Sequence, residues 1–212
     1  MSEDIEIINQ NTRIEKLKNF VSNNYKKLVG SLVLILLLLF SYFGFQEYKK
    51  KQKIEIAEIY NQINLAEITS QNTDDIEKLV EIIKRKDPIY SALSLYFIIE
   101  NDLINDKEKI NDFFDLVIES QVDKEIKNLI IYKKGMFNAN IASENELLEI
   151  LNPILKSESV WKSHALLLMA DYFVYNNNLI KSKDFLQEIV NSGTVNNEIR
   201  VEAERRLKRD FK

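Results

Sequence analysis

The 212-residue chain contains no cysteine, only two prolines, four glycines and one histidine. The absence of cysteine excludes disulfide bonds, cysteine metal sites and thiol catalysis, and one histidine cannot supply a multi-histidine metal site. Glycine and proline are the residues that most often end helices and shape turns, so their scarcity favours long helices. Because no sustained alternation of apolar and polar residues is present, the sequence predicts an all-α protein.

The sequence also lacks the short motifs that carry phosphate binding or catalysis. It contains no G-x-G-x-x-G, G-x-x-x-x-G-K-[ST], G-x-S-x-G or H-E-x-x-H pattern. We interpret the single His164 as a surface or groove-lining side chain, and Glu144, Glu146 and Glu149 as the solvated face of an amphipathic helix. The isolated Gly135 indicates a close contact between helices. We therefore predict a non-enzymatic protein without catalytic, cofactor-binding or metal-binding residues.

The charges are divided unequally along the chain. Residues 1–53 hold nine basic and five acidic residues, a net charge of +4, whereas residues 54–212 hold 20 basic and 28 acidic residues, a net charge of −8. An acidic domain is poorly suited to nucleic acid, which is bound by neutralising phosphates. The basic N-terminal part suits an anionic membrane surface instead.

An uncharged stretch at residues 28–45 predicts a transmembrane helix that includes Leu28, Gly30, Leu36, Phe40 and Phe45. Its 18 residues would span about 27 Å as a helix, close to the thickness of a bilayer core. Tyrosine and phenylalanine side chains and lysines flank it on both sides, as in interfacial belts. A buried core helix or a cleaved signal peptide would also explain the stretch. The length without a polar face and the bulky residues that follow favour a retained anchor.

The basic residues do not decide which way the anchor is oriented. Five precede the stretch and four follow it closely, which is nearly a tie under the positive-inside rule. We predict three segments: a basic amphipathic tail at 1–27, the transmembrane helix at 28–45 and a helical domain at 46–212. The apolar face of the tail, which includes Ile14, Leu17 and Val21, could contact lipid or a partner protein.

Helical hairpins recur along residues 46–212 with a regular step. First helices are predicted to start near Gln52, Pro88, Lys124, Val160 and Asn196, and second helices near Asp74, Lys107, Ser143 and Leu179. Ser143 and Glu146 have the spacing of a capping box, and Asn152-Pro153 predicts the end or a kink of a helix. A step near 34 residues is typical of tetratricopeptide solenoids.

The clearest repeat unit covers residues 161–190. Its predicted packing residues are Trp161, Ala170, Phe173, Ser182 and Leu186. In other units Ile99 and Asn111 stand where a small residue is expected, so an irregular helical bundle is the alternative to a solenoid.

The layout of the chain resembles the ancillary subunit family of the bacterial Sec translocon. That family combines a short cytoplasmic tail, one span and a tetratricopeptide-like periplasmic domain. The similar positions are Lys18, Phe20, Asn24, Lys27 and Gly30 before or in the span, Ala57 and Tyr60 after it, and Trp161 at the best hairpin.

The resemblance implies a location and a set of partners. By resemblance we expect a single-pass protein of the bacterial inner membrane with a cytoplasmic N-terminus and a periplasmic C-terminal domain. Its partners would be Sec translocon subunits, exported chains, periplasmic chaperones and membrane lipid, and it would need no cofactor. The alternative is a tetratricopeptide scaffold for another envelope complex, in cell division or outer-membrane assembly.

Overall fold

The structure, a computed structural model, describes residues 2–66, 72–193 and 196–211, with side chains from Ile14 onward. Within these ranges the chain is helical and contains no strand, which confirms the all-α prediction. The helices are α1 (Ser2–Asn64), α2 (Thr73–Lys84), α3 (Tyr90–Glu100), α4 (Lys107–Ser120), α5 (Lys124–Asn138), α6 (Glu144–Leu155), α7 (Lys162–Tyr175), α8 (Leu179–Asn191) and α9 (Asn197–Asp210).

Two compact units make up the chain, Met1–Glu55 and Ile56–Lys212. In the first unit, every side chain of residues 28–45 is exposed. This part of α1 is the one described helix long and apolar enough to cross a membrane. The second unit comprises the last turns of α1 together with α2–α9, where Ile56 and Ile63 are buried.

One predicted helix start is corrected. No separate helix begins near Gln52, because α1 runs through this position without a break to Asn64. Residues 46–55 contain no glycine, proline or other residue that would end a helix. The repeat step alone therefore predicts a helix start near Gln52 for which the local sequence carries no signal.

The other starts lie within two residues of their predicted positions, because side chains cap most of these helices. Asp106, Asp123, Ser143, Asn178 and Asn196 each accept a hydrogen bond from a backbone N–H in the first turn. The predicted capping box of Ser143 and Glu146 is confirmed. However, α6 does not end at Asn152, since it includes Pro153 and continues to Leu155. A proline this near the C-terminal end disturbs only the last turn.

Packing among α2–α9 is serial, and each helix contacts neighbours one or two positions away in the chain. Polar contacts between helices, or between the loops beside them, recur at separations of 33 to 37 residues. They include the ion pairs of Lys181 with Glu144 and of Arg206 with Asp171, each at 2.5 Å. The polar contacts thus repeat at nearly the same step as the helices.

The core consists of three apolar clusters that share helices. The first joins the end of α1 to α2–α5, the second joins α5–α7, and the third joins α7–α9. Ile130 and Ile131 of α5 belong to the first and second clusters, respectively. The first and second clusters share α5, and the second and third share α7. The unit is therefore stabilised by successive local cores rather than by one central core.

Two positions that seemed too large for a repeat have specific contacts. The amides of Asn111 on α4 and Asn138 on α5 donate to each other's oxygens over 3.0 and 2.7 Å. Ile99 is half-buried against the first apolar cluster. A small residue is not required at either place, because a reciprocal amide pair and an apolar contact occupy the space.

Candidate functional site: an aromatic groove

An open groove lies between α3 and α5. Helix α5 packs against α7 and α7 against α9, but α3 and α5 make no such backbone contact. The space between them has a volume of about 520 Å³. This space, which we call the aromatic groove, is lined by Tyr96, Ile99, Glu100, Phe114, Leu129, Tyr132, Lys133, Met136, Phe137 and Trp161.

A smaller space, of about 370 Å³, is a separate depression on the other side of α5, between α4 and α6. Its lining mixes polar and apolar side chains and includes the Asn111–Asn138 amide pair and Lys134, which forms an ion pair with Asp115 at 2.6 Å. Because these polar groups already bind partners within the chain, they are less available to a ligand. The aromatic groove, of about 520 Å³, is the candidate functional site.

Five of the ten side chains that line the aromatic groove are aromatic, although aromatic residues make up only 10% of the chain. Leu129, Tyr132, Lys133 and Met136 share one face of α5, since Leu129 and Met136 are each three or four residues from Tyr132 and Lys133. Phe114 of α4 contacts Phe137 of α5, with ring centroids 5.8 Å apart. Phe114 is buried, so this ring pair joins the groove to the core.

Trp161 lies directly before α7 and stacks on Tyr132, with ring centroids 5.9 Å apart and an angle of 22° between the planes. His164 completes the cluster, with its ring centroid 5.1 Å from that of Trp161 and 5.8 Å from that of Tyr132. The only histidine and the only tryptophan of the chain therefore contact each other beside the groove.

A hydrogen-bond network holds the loop before Trp161. The Ser159 hydroxyl donates to the Glu125 carboxylate over 2.6 Å, and the Val160 N–H donates to the same carboxylate over 3.2 Å. The backbone N–H of Trp161 donates to the Ser159 hydroxyl oxygen over 3.1 Å. Glu125 is on α5, so the helix that forms one wall of the groove also positions Trp161.

Lys133 reaches across from α5 to α3, where its Nζ lies 4.1 Å from the centroid of the Tyr96 ring. No carboxylate among the described residues forms an ion pair with Lys133, whereas the adjacent Lys134 is paired with Asp115. The Tyr96 hydroxyl is buried without a hydrogen-bond partner. Burial raises the pKa of Tyr96. Burial, followed by the charge of Asp171, raises the pKa of Tyr132, so both hydroxyls stay protonated at neutral pH.

The residues predicted to pack the best repeat lie in two places. Ala170, Phe173, Ser182 and Leu186 are buried where α7 and α8 contact each other. Trp161 lies at the groove and packs against the second apolar cluster. The predicted span residues, Leu28, Gly30, Leu36, Phe40 and Phe45, are all exposed on α1.

Tyr96, Tyr132 and Lys133 were not predicted as site residues, although the sequence carried a signal. Tyr60, Tyr96 and Tyr132 follow one another at steps of 36 residues, the step of the predicted first helices. A repeated aromatic at one register of successive helices indicates a shared surface. Tyr60 instead packs inside the second unit, with its ring 5.8 Å from that of Tyr90.

Comparison of the chain with protein-family models, with curated proteins and with solved structures gives no match. Among the described residues no group of three or more His, Asp or Glu side chains is placed to hold a metal ion. The groove offers ring faces, apolar side chains, one ammonium group and one carboxylate. This set of groups suits non-covalent recognition of apolar side chains.

Proposed function

We propose that this protein is a membrane-anchored, non-enzymatic interaction protein that is ancillary to the Sec translocon and links exported polypeptides to periplasmic chaperones. The observation that carries the proposal is the exposed, uncharged run of residues 28–45 on α1. An exposed apolar run of this length is stable in a bilayer and costly in water.

The helical unit supports a role in protein binding. Its serial packing and its contacts at separations of 33 to 37 residues are what a tetratricopeptide-like solenoid requires. In such an array, side chains of successive first helices share one surface. Here α3, α5 and the start of α7 supply the aromatic groove.

We propose that the protein crosses the bacterial inner membrane once, with residues 1–27 in the cytoplasm and residues 46–212 in the periplasm. The similarity of its layout to the ancillary translocon subunits supports this orientation. A membrane anchor beside the translocon would raise the local concentration of the groove around exported polypeptides as they leave the translocon.

Affinity purification of the full chain in mild detergent tests the proposal. We expect translocon subunits to co-purify and nascent secreted chains to crosslink to the helical unit. A control in which residues 28–45 are replaced by an unrelated apolar sequence should stay in the membrane but lose translocon subunits if the span makes specific contacts. Absence of both the co-purification and the crosslinks from the unaltered chain would overturn the proposal, and co-purification of a different envelope complex would assign the protein to that complex.

A further inference from the structure

Resting on the proposed function, we propose that the aromatic groove binds an extended polypeptide segment in which a large apolar side chain is followed closely by a carboxylate. Lys133 is the residue that selects the carboxylate. The groove would thereby recognise a particular class of client segment rather than any unfolded chain.

The side chains that line the aromatic groove explain its preference for a large apolar side chain of the ligand. Leu129, Met136 and the rings of Tyr132 and Trp161 are partly exposed to the groove. Covering such side chains with an apolar group removes apolar surface of both partners from water, which is favourable in proportion to the area covered. Aromatic rings add preferred edge and face contacts with a second ring.

The acidic part of the preference follows from charge complementarity at Lys133. Its ammonium group is held over the Tyr96 ring and has no ion-pair partner among the described residues. The other charged residue of the lining, Glu100, is exposed, whereas Lys133 is half-buried. The charge that is partly buried in the groove is therefore positive, in a domain whose overall charge is negative.

The half-buried ammonium group of Lys133 favours a carboxylate over a neutral acceptor, because charge-assisted hydrogen bonds are stronger than neutral ones. A basic or uncharged segment would leave this ammonium group without an ionic partner.

Trp161 provides the measurement, because it is the only tryptophan of the chain and lines the groove. The full chain in nanodiscs of phosphatidylcholine is titrated with an acetylated, amidated heptapeptide of sequence Gly-Ala-Phe-Leu-Asp-Ala-Gly. A second peptide carries Asn in place of Asp. We expect the Asp peptide to change Trp161 emission and to bind about fivefold to tenfold more tightly than the Asn peptide.

Lys133→Gln should remove this discrimination, so that the two peptides bind with equal affinity. The matched control is Lys127→Gln, which removes the same charge from the exposed side of α5 outside the groove and should keep the preference. Isothermal titration gives the affinities independently of Trp161 emission. Equal binding of the two peptides to the unaltered chain, no binding of either, or an unchanged preference in Lys133→Gln would each overturn the proposal.

A photo-crosslinking amino acid at Met136 separates this proposal from the proposed function. Met136 is 51% exposed and lines the groove, whereas Val122 is exposed in the loop before α5 and serves as the control position. Crosslinks of the Asp peptide at position 136 but not at 122 support the groove, whatever complex the protein joins in the membrane. Translocon co-purification together with no peptide at position 136 would overturn the groove alone.

Discussion

Gly135 is a position on α5 where the packing leaves no room for a side chain. A Cβ atom built there would lie 2.6 Å from Cδ2 of Leu151 and 3.4 Å from Cδ2 of Leu168. Leu151 is fully buried in the second apolar cluster, so its side chain cannot move without disturbing the core. The isolated glycine in the sequence thus indicated a close helix contact, but not which helix supplied it.

Gly135→Val is expected to destabilise the helical unit by about 1–3 kcal/mol, the usual cost of overpacking a core. The measurement is denaturant unfolding of the full chain followed by Trp161 fluorescence. Gly193→Val is the control, because a Cβ at Gly193 meets no atom within 4 Å. Equal stability of the two variants would mean that α5 and α6 can separate at low cost.

The amide pair of Asn111 and Asn138 shows what a single-residue comparison misses. In the sequence, Asn111 stands at a position where a tetratricopeptide-like repeat would have a small residue. In the structure, Asn138 is buried and Asn111 is half-buried, and each satisfies the other across α4 and α5. Buried amides are tolerated when they are paired, and the pairing of residues 27 apart cannot be read from either residue alone.

At the scale of the element, the start of α6 depends on a local carboxylate. The Glu146 carboxylate accepts from the Ser143 N–H over 2.7 Å and from the Ser143 hydroxyl over 2.6 Å. These two hydrogen bonds, the hydroxyl first, lower the pKa of Glu146 below its usual value of 4.5. Since the folded state favours the ionised form, this contribution to stability is present above the unfolded pKa and is lost as the pH falls through the folded pKa.

Glu146→Gln should therefore lower the melting temperature at neutral pH, and the difference from the unaltered chain should shrink as the pH falls below 4.5. Far-UV circular dichroism at a series of pH values measures both transitions. Glu149→Gln removes a carboxylate from the same helix outside the cap, and serves as the control for loss of charge alone. A difference that does not shrink at any pH below 4.5 would contradict the role of the Glu146 carboxylate.

Helix starts were predictable because their signals are local. A capping side chain and the first-turn N–H groups are two or three residues apart in the sequence, as for Asp106, Asp123 and Asn196. The predicted helix start near Gln52 is wrong because it rests on the repeat step alone, and no residue that ends a helix interrupts α1 there. Capping side chains therefore predict helix starts more reliably than the repeat step does.

At the scale of the whole molecule, the exposed run of residues 28–45 is the strongest constraint on where the protein can reside. The side chains of this run are exposed, and the segment is apolar enough to cross a membrane. In the proposed function this run is embedded in lipid, which accounts for its exposure.

Leu36→Arg combined with Phe40→Arg should prevent stable insertion, since each arginine near the centre of a span costs roughly 2.5–3.5 kcal/mol. The protein is expected to move from the membrane fraction to the soluble fraction after an alkaline wash. The control combines Leu65→Arg with Val122→Arg, two exposed apolar positions outside the run. Retention of the doubly substituted span at the level of the control would contradict a transmembrane role for residues 28–45.

The sequence by itself determined the helical class, the starts of α2–α9 and the apolar run, because each depends on residues that are neighbours in the chain. Only the tertiary structure decided that α3 and α5 stay apart, that Lys133 lies over Tyr96, and that Trp161 faces the resulting groove. These contacts join residues about 30 to 40 positions apart, and they depend on how the cores of successive helices pack. Spacing along a sequence fixes the face of a helix on which a side chain lies, but the distance between two such faces is set by packing alone.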